Sequence, residues 1–218
     1  MKSLAQQFLS HQDRETIVQT VREMERQTAG EIVPMVVSRS YSYPMADVIG
    51  GVVFALPVSL VLTHFIGGWL WMGHQNMWLF LGVLTVCFLG FHQMCKHILW
   101  LKRLFISHRE MEEEVEEAAT TSFLQQGIHR TRDMTGILIF ISVFERRVRV
   151  LADQGINAKV QKGQWDKIVH IIVDGIKRKN QAMAICHALR EVGRILEEHF
   201  PIKPDDRDEI QNLIIKEE

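Results

Sequence analysis

The sequence lacks the short motifs that identify several large enzyme classes. It contains no Cys-x5-Arg loop, HExxH, Walker loop, GxSxG or GxGxxG. These absences argue against cysteine phosphatases, zincins, P-loop enzymes, serine hydrolases and dinucleotide-binding folds. Its three cysteines have no CxxC spacing, so neither a disulfide framework nor a cysteine-rich zinc site is expected. The formal net charge is −1 and no basic stripe with interleaved aromatic residues is present, so nucleic acid is not an expected partner.

Charge is missing altogether from one internal segment. Val48–Cys95 contains no Asp, Glu, Lys or Arg over 48 residues, although these residues make up 23% of the chain. Because a charged side chain at the centre of a bilayer is strongly unfavourable, we interpret the segment as embedded in a membrane. The lipid bilayer is therefore an expected partner.

The charge-free segment divides into two predicted transmembrane helices, Met45 to about Trp71 and Met77 to about Cys95. Each is close to the roughly 20 apolar residues that cross a bilayer. The glycines and tryptophans between them predict a turn at the membrane interface. That turn has no basic residue, whereas five flank the outer ends: Arg39, Lys96, Lys102, Arg103 and Arg109. By the positive-inside rule, we expect the outer ends of both spans, and with them the soluble domain, to lie in the cytoplasm.

The segments on either side of the spans predict one α/β domain. A short apolar strand is expected at Glu31–Ser38, where Pro34 predicts an edge position or a bulge. Gly136–Val143 and Arg147–Ala152 predict an antiparallel pair, with the first strand buried on both faces. Amphipathic periodicity predicts helices over Ser3–Thr28, Ser107–Gln126, Trp165–Ile176 and Ala182–Glu198. We therefore expect an α/β sandwich with a mixed sheet of about four strands covered by helices.

The predicted domain organisation places the membrane hairpin inside the soluble domain. Residues 1–44 form the first part of the domain, and residues 45–97 form the transmembrane hairpin. Residues 98–204 complete the domain, and residues 205–218 form a polar C-terminal tail. Because two spans return the chain to its starting side, the two soluble parts can fold together.

One cluster of polar residues forms the candidate site. His129, Arg130, Arg132 and Asp133 precede the first strand of the antiparallel pair, and Asp153 and Asn157 follow the second, so both groups are expected at one end of the sheet. A carboxylate pair there could hold a hard cation such as calcium or magnesium, with an arginine holding an anionic group. Alternatively, the aspartates shape turns or cap helices while the histidine and arginines contact them. No catalytic residue is identified.

Several of these segments together resemble the TPM domain. The resemblance lies in Thr28–Val33, Gly136–Ser142 and Glu145–Val150. A bacterial branch with two spans inserted after the first strand is also similar at Phe123–Arg132, Ala152–Ile156, Trp165 and His199–Pro201. The resemblance implies an α/β/α sandwich, often with divalent cation binding, and phosphatase activity for some members. Similarity to the bacterial branch implies a two-span protein of the bacterial inner (plasma) membrane. The glutamate of the family pattern is absent from Ala152–Ile156, which weakens the transfer of catalytic activity.

Two functions follow from these observations. The first is a non-enzymatic TPM-containing membrane protein that binds a partner or assists assembly at the inner membrane. The second is a divalent-metal-dependent, phosphatase-like hydrolase that uses Asp133 and Asp153. A membrane protein and a second copy of this chain both remain open as partners.

Overall fold

The structure is a computed structural model that describes residues 3–71, 76–202 and 210–216. It divides into two compact units. Met1–Tyr41 together with Glu112–Glu218 forms the α/β unit, and Ser42–Met111 forms the hairpin unit. The described helices are, in chain order, α1 (Leu4–Phe8), α2 (His11–Glu25), α3 (Pro44–Trp69), α4 (Met77–His97), α5 (Leu99–Arg103), α6 (His108–Gln125), a 3-10 turn (Ile128–Arg130), α7 (Gln154–Asn157), α8 (Lys162–Lys177) and α9 (Gln181–His199).

A mixed four-stranded sheet forms the centre of the α/β unit. Its strands are β1 (Glu31–Val37), β2 (Gly136–Ser142), β3 (Arg147–Ala152) and β4 (Ile214–Lys216). They are arranged in the order β3-β2-β1-β4, with β1 parallel to both of its neighbours and β3 antiparallel to β2. The predicted mixed sheet is confirmed, and the predicted antiparallel pair forms its β2–β3 edge.

Helices cover both faces of this sheet because the buried strands are apolar on both sides. In β2, Ile137, Ile139 and Ile141 pack into a core completed by α1, α2, α8 and α9. Leu138 and Phe140 point to the other face and pack with Val115 and Ala119 of α6 and other apolar side chains. Successive side chains of a strand point to opposite faces, so a continuous apolar run indicates burial on both. The α/β/α sandwich is thus confirmed.

The N-terminal segment differs from its prediction. One helix over Ser3–Thr28 was expected, but α1 ends at Phe8 and α2 begins at His11. The break is fixed by a capping box at Ser10. Its hydroxyl accepts a hydrogen bond from the Asp13 N–H at 3.2 Å, and the Asp13 carboxylate accepts one from the Ser10 N–H at 2.9 Å. Two helices therefore replace one.

β1 lies between β2 and β4, and Pro34 is in the half of β1 that pairs with β2 alone among the described residues. The Ile32 N–H donates to the Glu25 carboxylate, away from β2. Pro34 faces the same side, because alternate residues of a strand share their hydrogen-bonding direction. On that side β4 pairs with β1 only from Met35 onward, as far as the described residues extend. The missing N–H of Pro34 therefore leaves no strand hydrogen bond unmade.

Parts of two predicted segments lie outside the described residues. In the predicted interhelical turn these are residues 72–75, and in the predicted polar tail they are residues 205–209 and 217–218. The remainder of the tail is described, and Ile214–Lys216 within it forms β4. The end of the chain therefore contributes a strand to the sheet.

The hairpin unit packs its small residues inward. The buried side of α3 includes residues one helical turn apart: Asp47, Gly51, Ala55, Ser59, Thr63 and Gly67. Its large aliphatic residues, such as Val52, Leu56 and Leu60, are exposed. A side chain on Gly51 would approach Phe88 and the His92 Cα of α4 to 3.0 and 3.3 Å, so the glycine permits the close approach of the two helices.

A buried ion pair joins the start of α3 to α5. The Lys102 ammonium lies 2.8 Å from the Asp47 carboxylate, and the two side chains are only 5% and 9% exposed. Both α3 and α4 are long and apolar enough to cross a membrane. Of the residues of α4, which the structure describes in full, Cys95 alone is buried. The hairpin unit thus exposes a large apolar surface.

Candidate functional site

The two predicted groups of site residues lie at one end of the sheet. Ile137 of β2 pairs with Ala152 of β3, and the Asp153 N–H donates to the Gly136 carbonyl at 2.9 Å. A side chain on Gly155 would come within 2.6 Å of the Met134 carbonyl oxygen and 3.1 Å of that of Asp133. The absence of a side chain at Gly155 is therefore what lets the Asp133 turn pack against α7.

Asp153 is the most buried of the predicted site residues, with 9% of its surface exposed. Its Oδ1 accepts a hydrogen bond from the Gln154 N–H at 2.7 Å and caps the short helix α7. Its Oδ2 is also buried and has no hydrogen-bond partner among the described residues. A buried carboxylate oxygen without a partner is costly, which makes this atom the strongest candidate ligand at this end of the sheet.

The other predicted residues have more local surroundings. The Asn157 amide donates to the Ala152 carbonyl at 2.6 Å and is exposed, so it stabilises the α7 turn. His129 lies in the 3-10 turn with its ring centroid 6.4 Å from that of Phe123, and its buried Nδ1 has no hydrogen-bond partner among the described residues. Arg130 and Arg132 are exposed on the same segment. The structure therefore brings Asp133 to the Asp153 segment, whereas His129 packs beside α6.

A cleft of about 530 Å³ opens at this end of the sheet. Its lining combines four separate segments of the chain: Ala29, Asp133, Thr135, Gly155, Lys159, His199, Phe200, Pro201 and Ile202. The end of α9 is held against the start of β1, because the Thr28 hydroxyl and the Ala29 N–H both donate to the Phe200 carbonyl. Segments that support the TPM resemblance thus meet around one cleft.

Lys159 lines the cleft but was not among the predicted site residues. Its ammonium donates to the His199 carbonyl at 3.2 Å and lies 4.3 Å from the centroid of the Phe200 ring. His199 and Phe200 belong to a segment that the family resemblance had marked. Lys159 follows α7 in a short connection with no motif of its own, so no local signal could have placed it there.

The donor groups at this end determine which metal ion they could hold. Asp133 and the unpartnered Oδ2 of Asp153 are carboxylate oxygens, which suit hard divalent cations. However, no group of three or more His, Cys, Asp or Glu side chains that could hold a metal occurs in the described ranges. Two carboxylates suit magnesium, which keeps several of its water ligands, better than calcium, which takes six to eight oxygen ligands.

The acidic face of α6 forms salt bridges with β3. The Arg149 guanidinium donates to the Glu112 carboxylate at 2.7 Å and lies 4.0 Å from that of Glu116. The hydrogen bond from Arg149, with the positive charges of Arg149 and Arg147, lowers the pKa of Glu112. Glu112, Glu113, Glu116 and Glu117 are exposed, as a solvated helix face requires.

A second cleft of about 400 Å³ lies at the opposite end of the sheet, where β1 and β4 end. Arg39, Ser40 and Lys216 line one part of it, and Glu114 and Glu117 of α6 line another. The buried Glu145 accepts hydrogen bonds from the Ser40 N–H at 2.9 Å and from the Ser142 hydroxyl, which fixes the chain where it leaves β1. Sequence reasoning did not identify this cleft.

Comparison with known proteins agrees with this architecture. Residues 102–195 match the family model of the TPM domain. None of the curated proteins matches the chain. Among solved structures, the chain is similar to the NMR structure of the BA42 protein from the psychrophilic bacterium Bizionia argentinensis. The TM-score is 0.59 and the identity 20%, over 96% of this chain and 95% of that one, so the similarity concerns the fold. The predicted resemblance is confirmed, and the chain contains a TPM domain.

Proposed function

We propose that this chain is an integral membrane protein that crosses the bacterial inner membrane twice, through α3 and α4. The observation that supports this proposal is the inverted packing of the hairpin unit, in which glycine, alanine and hydroxyl side chains lie inside and large aliphatic side chains lie outside. Lipid tails solvate aliphatic side chains as well as a protein core does, whereas small residues let helices approach closely. Water would favour the reverse arrangement.

Helix lengths and tryptophan positions fit the same proposal. At 1.5 Å per residue, the 26 residues of α3 and the 21 residues of α4 span about 39 and 32 Å, against a hydrocarbon core of about 30 Å. Trp69, Trp71 and Trp78 are exposed around the connection between the helices. Tryptophan side chains at this position suit the interface between lipid and water.

The basic residues that follow α4, together with Arg39 before α3, support a cytoplasmic position for the TPM domain. The test uses impermeant maleimide labelling of intact cells in a variant whose native cysteines are replaced by alanine. Met77→Cys at the start of α4 should be labelled, and His108→Cys should be labelled only after permeabilisation. Both sites are exposed and leave the caps of Asn76 and Ser107 intact. Labelling at His108→Cys alone would place the domain outside, and labelling at both would contradict two spans.

The TPM domain acts in this proposal as a non-enzymatic binding or assembly module. Support comes from the local roles of the candidate polar groups, since Asp153 Oδ1 caps α7 and Asn157 holds the Ala152 carbonyl. The cleft lined by Asp133, Lys159 and Phe200 is the surface that such a module would offer. Its partner is a membrane protein or a second copy of this chain, and the mass of the purified particle separates these two cases.

A metal-dependent, phosphatase-like hydrolase is the second candidate, and the unpartnered Oδ2 of Asp153 is the observation that favours it. The test assays the purified full chain on p-nitrophenyl phosphate with and without magnesium or calcium. The Asp133→Asn/Asp153→Asn variant retains a capping side chain at position 153, because asparagine also caps helices. An Asp166→Asn/Asp174→Asn variant removes the same charge from the exposed face of α8. Turnover that only the first variant abolishes would overturn the binding-module proposal.

A further inference from the structure

Four segments of the chain meet around Ser38, at the end of the sheet where β1 ends. The Ser38 carbonyl accepts a hydrogen bond from the Phe144 N–H of the β2–β3 turn at 3.0 Å, and its hydroxyl accepts one from the Ala5 N–H of α1 at 3.1 Å. The end of α1 contacts the start of α9, because the Gln181 amide donates to the Phe8 carbonyl at 2.9 Å. Residues far apart in the sequence are therefore neighbours at this end of the α/β unit.

These segments bring four cationic side chains to the surface. Arg39 follows Ser38, Arg146 lies in the β2–β3 turn, and Arg178 and Lys179 lie in the turn between α8 and α9. All four are exposed. None of them forms an ion pair or a side-chain hydrogen bond with any residue that the structure describes. Together these four residues form the basic surface.

The acidic residues nearest to these cations in sequence are already engaged. Glu145, next to Arg146, is buried and accepts hydrogen bonds from a backbone N–H and a serine hydroxyl. Asp174, four residues before Arg178, pairs with Lys177 at 3.5 Å. The glutamates of α6 lie over the opposite face of the sheet from α8 and α9. The charge of the basic surface is therefore left to solvent or to a ligand.

Two of the four cations occupy backbone conformations that ordinarily select other residues. The φ angles of Arg146 and Lys179 are 54° and 58°. Positive φ is uncommon outside glycine, and asparagine is enriched among the exceptions. Both positions are exposed turns in which no described ion pair or hydrogen bond needs a long cationic side chain. Cations at both positions therefore favour a role for the charge itself.

The chain leads to the hairpin unit from this same end of the α/β unit. The first part of the α/β unit ends at Tyr41, and the second begins at Glu112 in α6. Both connections are at this end, because Glu114 of α6 lines the second cleft together with Arg39. Val48, where the charge-free segment begins, is nine residues after Arg39, and a chain of that length spans at most about 32 Å. In the proposed topology, lipid headgroups are therefore close to this end.

We propose that the basic surface binds the anionic headgroups of the membrane that holds the hairpin unit. An anionic leaflet attracts Lys and Arg side chains over about one Debye length, roughly 8 Å at physiological ionic strength. A nucleic acid would also suit these cations, but only a bilayer is kept near them by the chain itself. The inference rests on the proposed membrane insertion and adds a lipid contact of the TPM domain to it.

The test compares two labelled positions on the full chain in vesicles. Asn180→Cys lies before α9 and Gln161→Cys before α8, each in a background whose native cysteines are replaced by alanine. Both residues are exposed helix N-caps without a side-chain hydrogen bond, so neither substitution removes a cap. A bimane label on the cysteine reports its proximity to the bilayer through quenching by a lipid with a spin-labelled headgroup.

We expect quenching at Asn180→Cys to be about twofold stronger in equal phosphatidylglycerol and phosphatidylcholine than in phosphatidylcholine alone. The difference should vanish in about 1 M NaCl, where the Debye length is about 3 Å. Gln161→Cys should differ little, because the 16 residues of α8 span about 24 Å. A neutralised variant, Arg146→Asn/Arg178→Gln/Lys179→Asn, should lose the lipid dependence at Asn180→Cys. A matched control that removes three exposed cations elsewhere in the unit should keep it: Arg26→Gln/Lys167→Gln/Arg190→Gln.

A urea titration separates loss of charge from loss of structure. Asparagine suits positive φ, so Arg146→Asn/Lys179→Asn should leave the unfolding midpoint read from Cys186 unchanged or raised. Arg178→Gln alone changes an exposed residue with a φ of −85° and should lose part of the lipid dependence. It tests the proposal even if the neutralised variant unfolds.

Equal quenching at Asn180→Cys in the two kinds of vesicle, or an equal loss in the matched control, would overturn the proposal. Displacement by inorganic phosphate at constant ionic strength would also overturn it, because the surface would then recognise a free anion. Equal quenching together with binding of an oligouridylate that the neutralised variant abolishes would assign the surface to nucleic acid instead. Alkaline carbonate extraction of native membranes tests insertion separately, so failure of the lipid contact and failure of insertion are distinguishable.

Discussion

The two units of this molecule place their apolar residues in opposite ways. In the α/β unit, Ile137, Ile139 and Ile141 are fully buried. In the hairpin unit, Gly51, Ala55 and Ser59 are buried, and neighbouring large aliphatic residues are exposed. Burial of aliphatic surface is favourable in water, but lipid removes that driving force and leaves close packing as the source of helix association. The contrast is what the proposed insertion of the hairpin unit into a membrane would produce.

The ion pairs of the two units also differ in burial. Ion pairs of the α/β unit such as Lys177–Asp174 lie in water, where a pair contributes little. The Asp47–Lys102 pair of the hairpin unit is buried, so each charge depends on the other. Four predictions test these two contrasts. In each stability experiment, the buried thiols of Cys95 and Cys186 report separately on the hairpin unit and the α/β unit.

The largest effect is expected from Asp47→Asn. This substitution leaves the Lys102 ammonium buried without its counter-charge, which should lower the free energy of unfolding by about 3–5 kcal/mol. The measurement is the rate of Cys95 labelling across an SDS titration in a Cys87→Ala/Cys186→Ala background. Asp174→Asn is the control, and it is read from Cys186 in a urea titration of a Cys87→Ala/Cys95→Ala background, with an expected change of about 0–1 kcal/mol. Similar small changes in both variants would mean that the buried pair does not hold the hairpin together.

Truncation of a leucine should depend strongly on the unit in which it lies. Leu189→Ala removes a fully buried side chain from α9 and should destabilise the α/β unit by about 2–5 kcal/mol. Leu60→Ala removes a side chain that is 61% exposed on α3 and should change the unfolding of the hairpin little in micelles. Urea titrations monitored by Cys186 and SDS titrations monitored by Cys95 give the two values. A comparable loss from Leu60→Ala would indicate that the outer face of α3 is packed against protein.

Enlarging a glycine should matter only on the inner side of the hairpin. Gly51→Leu forces a side chain toward Phe88 and His92 and should cost about 1–3 kcal/mol as the helices separate. Gly82→Leu is the control, because a Cβ at Gly82 meets no atom within 4 Å among the described residues. For both variants, the measurement is the midpoint temperature at which Cys95 becomes accessible to a thiol reagent. Equal midpoints would contradict the close approach of α3 and α4.

The smallest effect concerns the solvated face of α6. Arg149→Gln removes the hydrogen bond and charge that lower the pKa of Glu112, so that pKa should rise toward its ordinary value. Since the folded-state pKa is depressed, the stabilisation by Arg149 is present above the unfolded-state pKa and is lost as the pH falls through the folded-state pKa. A carboxyl ¹³C NMR titration of the full chain in micelles measures the change. Arg178→Gln, which removes a distant exposed cation, should leave the pKa of Glu112 unchanged.

Elements with a strong local pattern could be predicted from the sequence. The apolar run at Gly136–Val143 and the alternation at Arg147–Ala152 predicted β2 and β3 to within a residue, because burial on two faces and on one face leave different patterns. The break at Ser10 was missed, although a serine followed three residues later by Asp13 is a capping signal. The three residues of β4 have no local pattern, since their pairing depends on β1 being in place.

The candidate site was less predictable because the fold assembles it from distant segments. Strand pairing was enough to bring Asp133 and Asp153 to one end of the sheet. The cleft beside them also needs the end of α9 to meet the start of β1, through hydrogen bonds to the Phe200 carbonyl. The local sequence around Lys159 does not indicate this contact between the end of α9 and the start of β1. Local patterns specify strands and helices, whereas a cleft depends on contacts between residues far apart in the chain.

The position of β1 in the sheet has a consequence for how the protein is made. β1 ends at Val37, but the residues that pair with it begin at Gly136 and Ile214. During translation, both apolar helices therefore leave the ribosome before the strand can find its neighbours. An apolar strand that waits unpaired is prone to aggregate. In the proposed membrane topology, the two helices therefore enter the bilayer before the sheet can close.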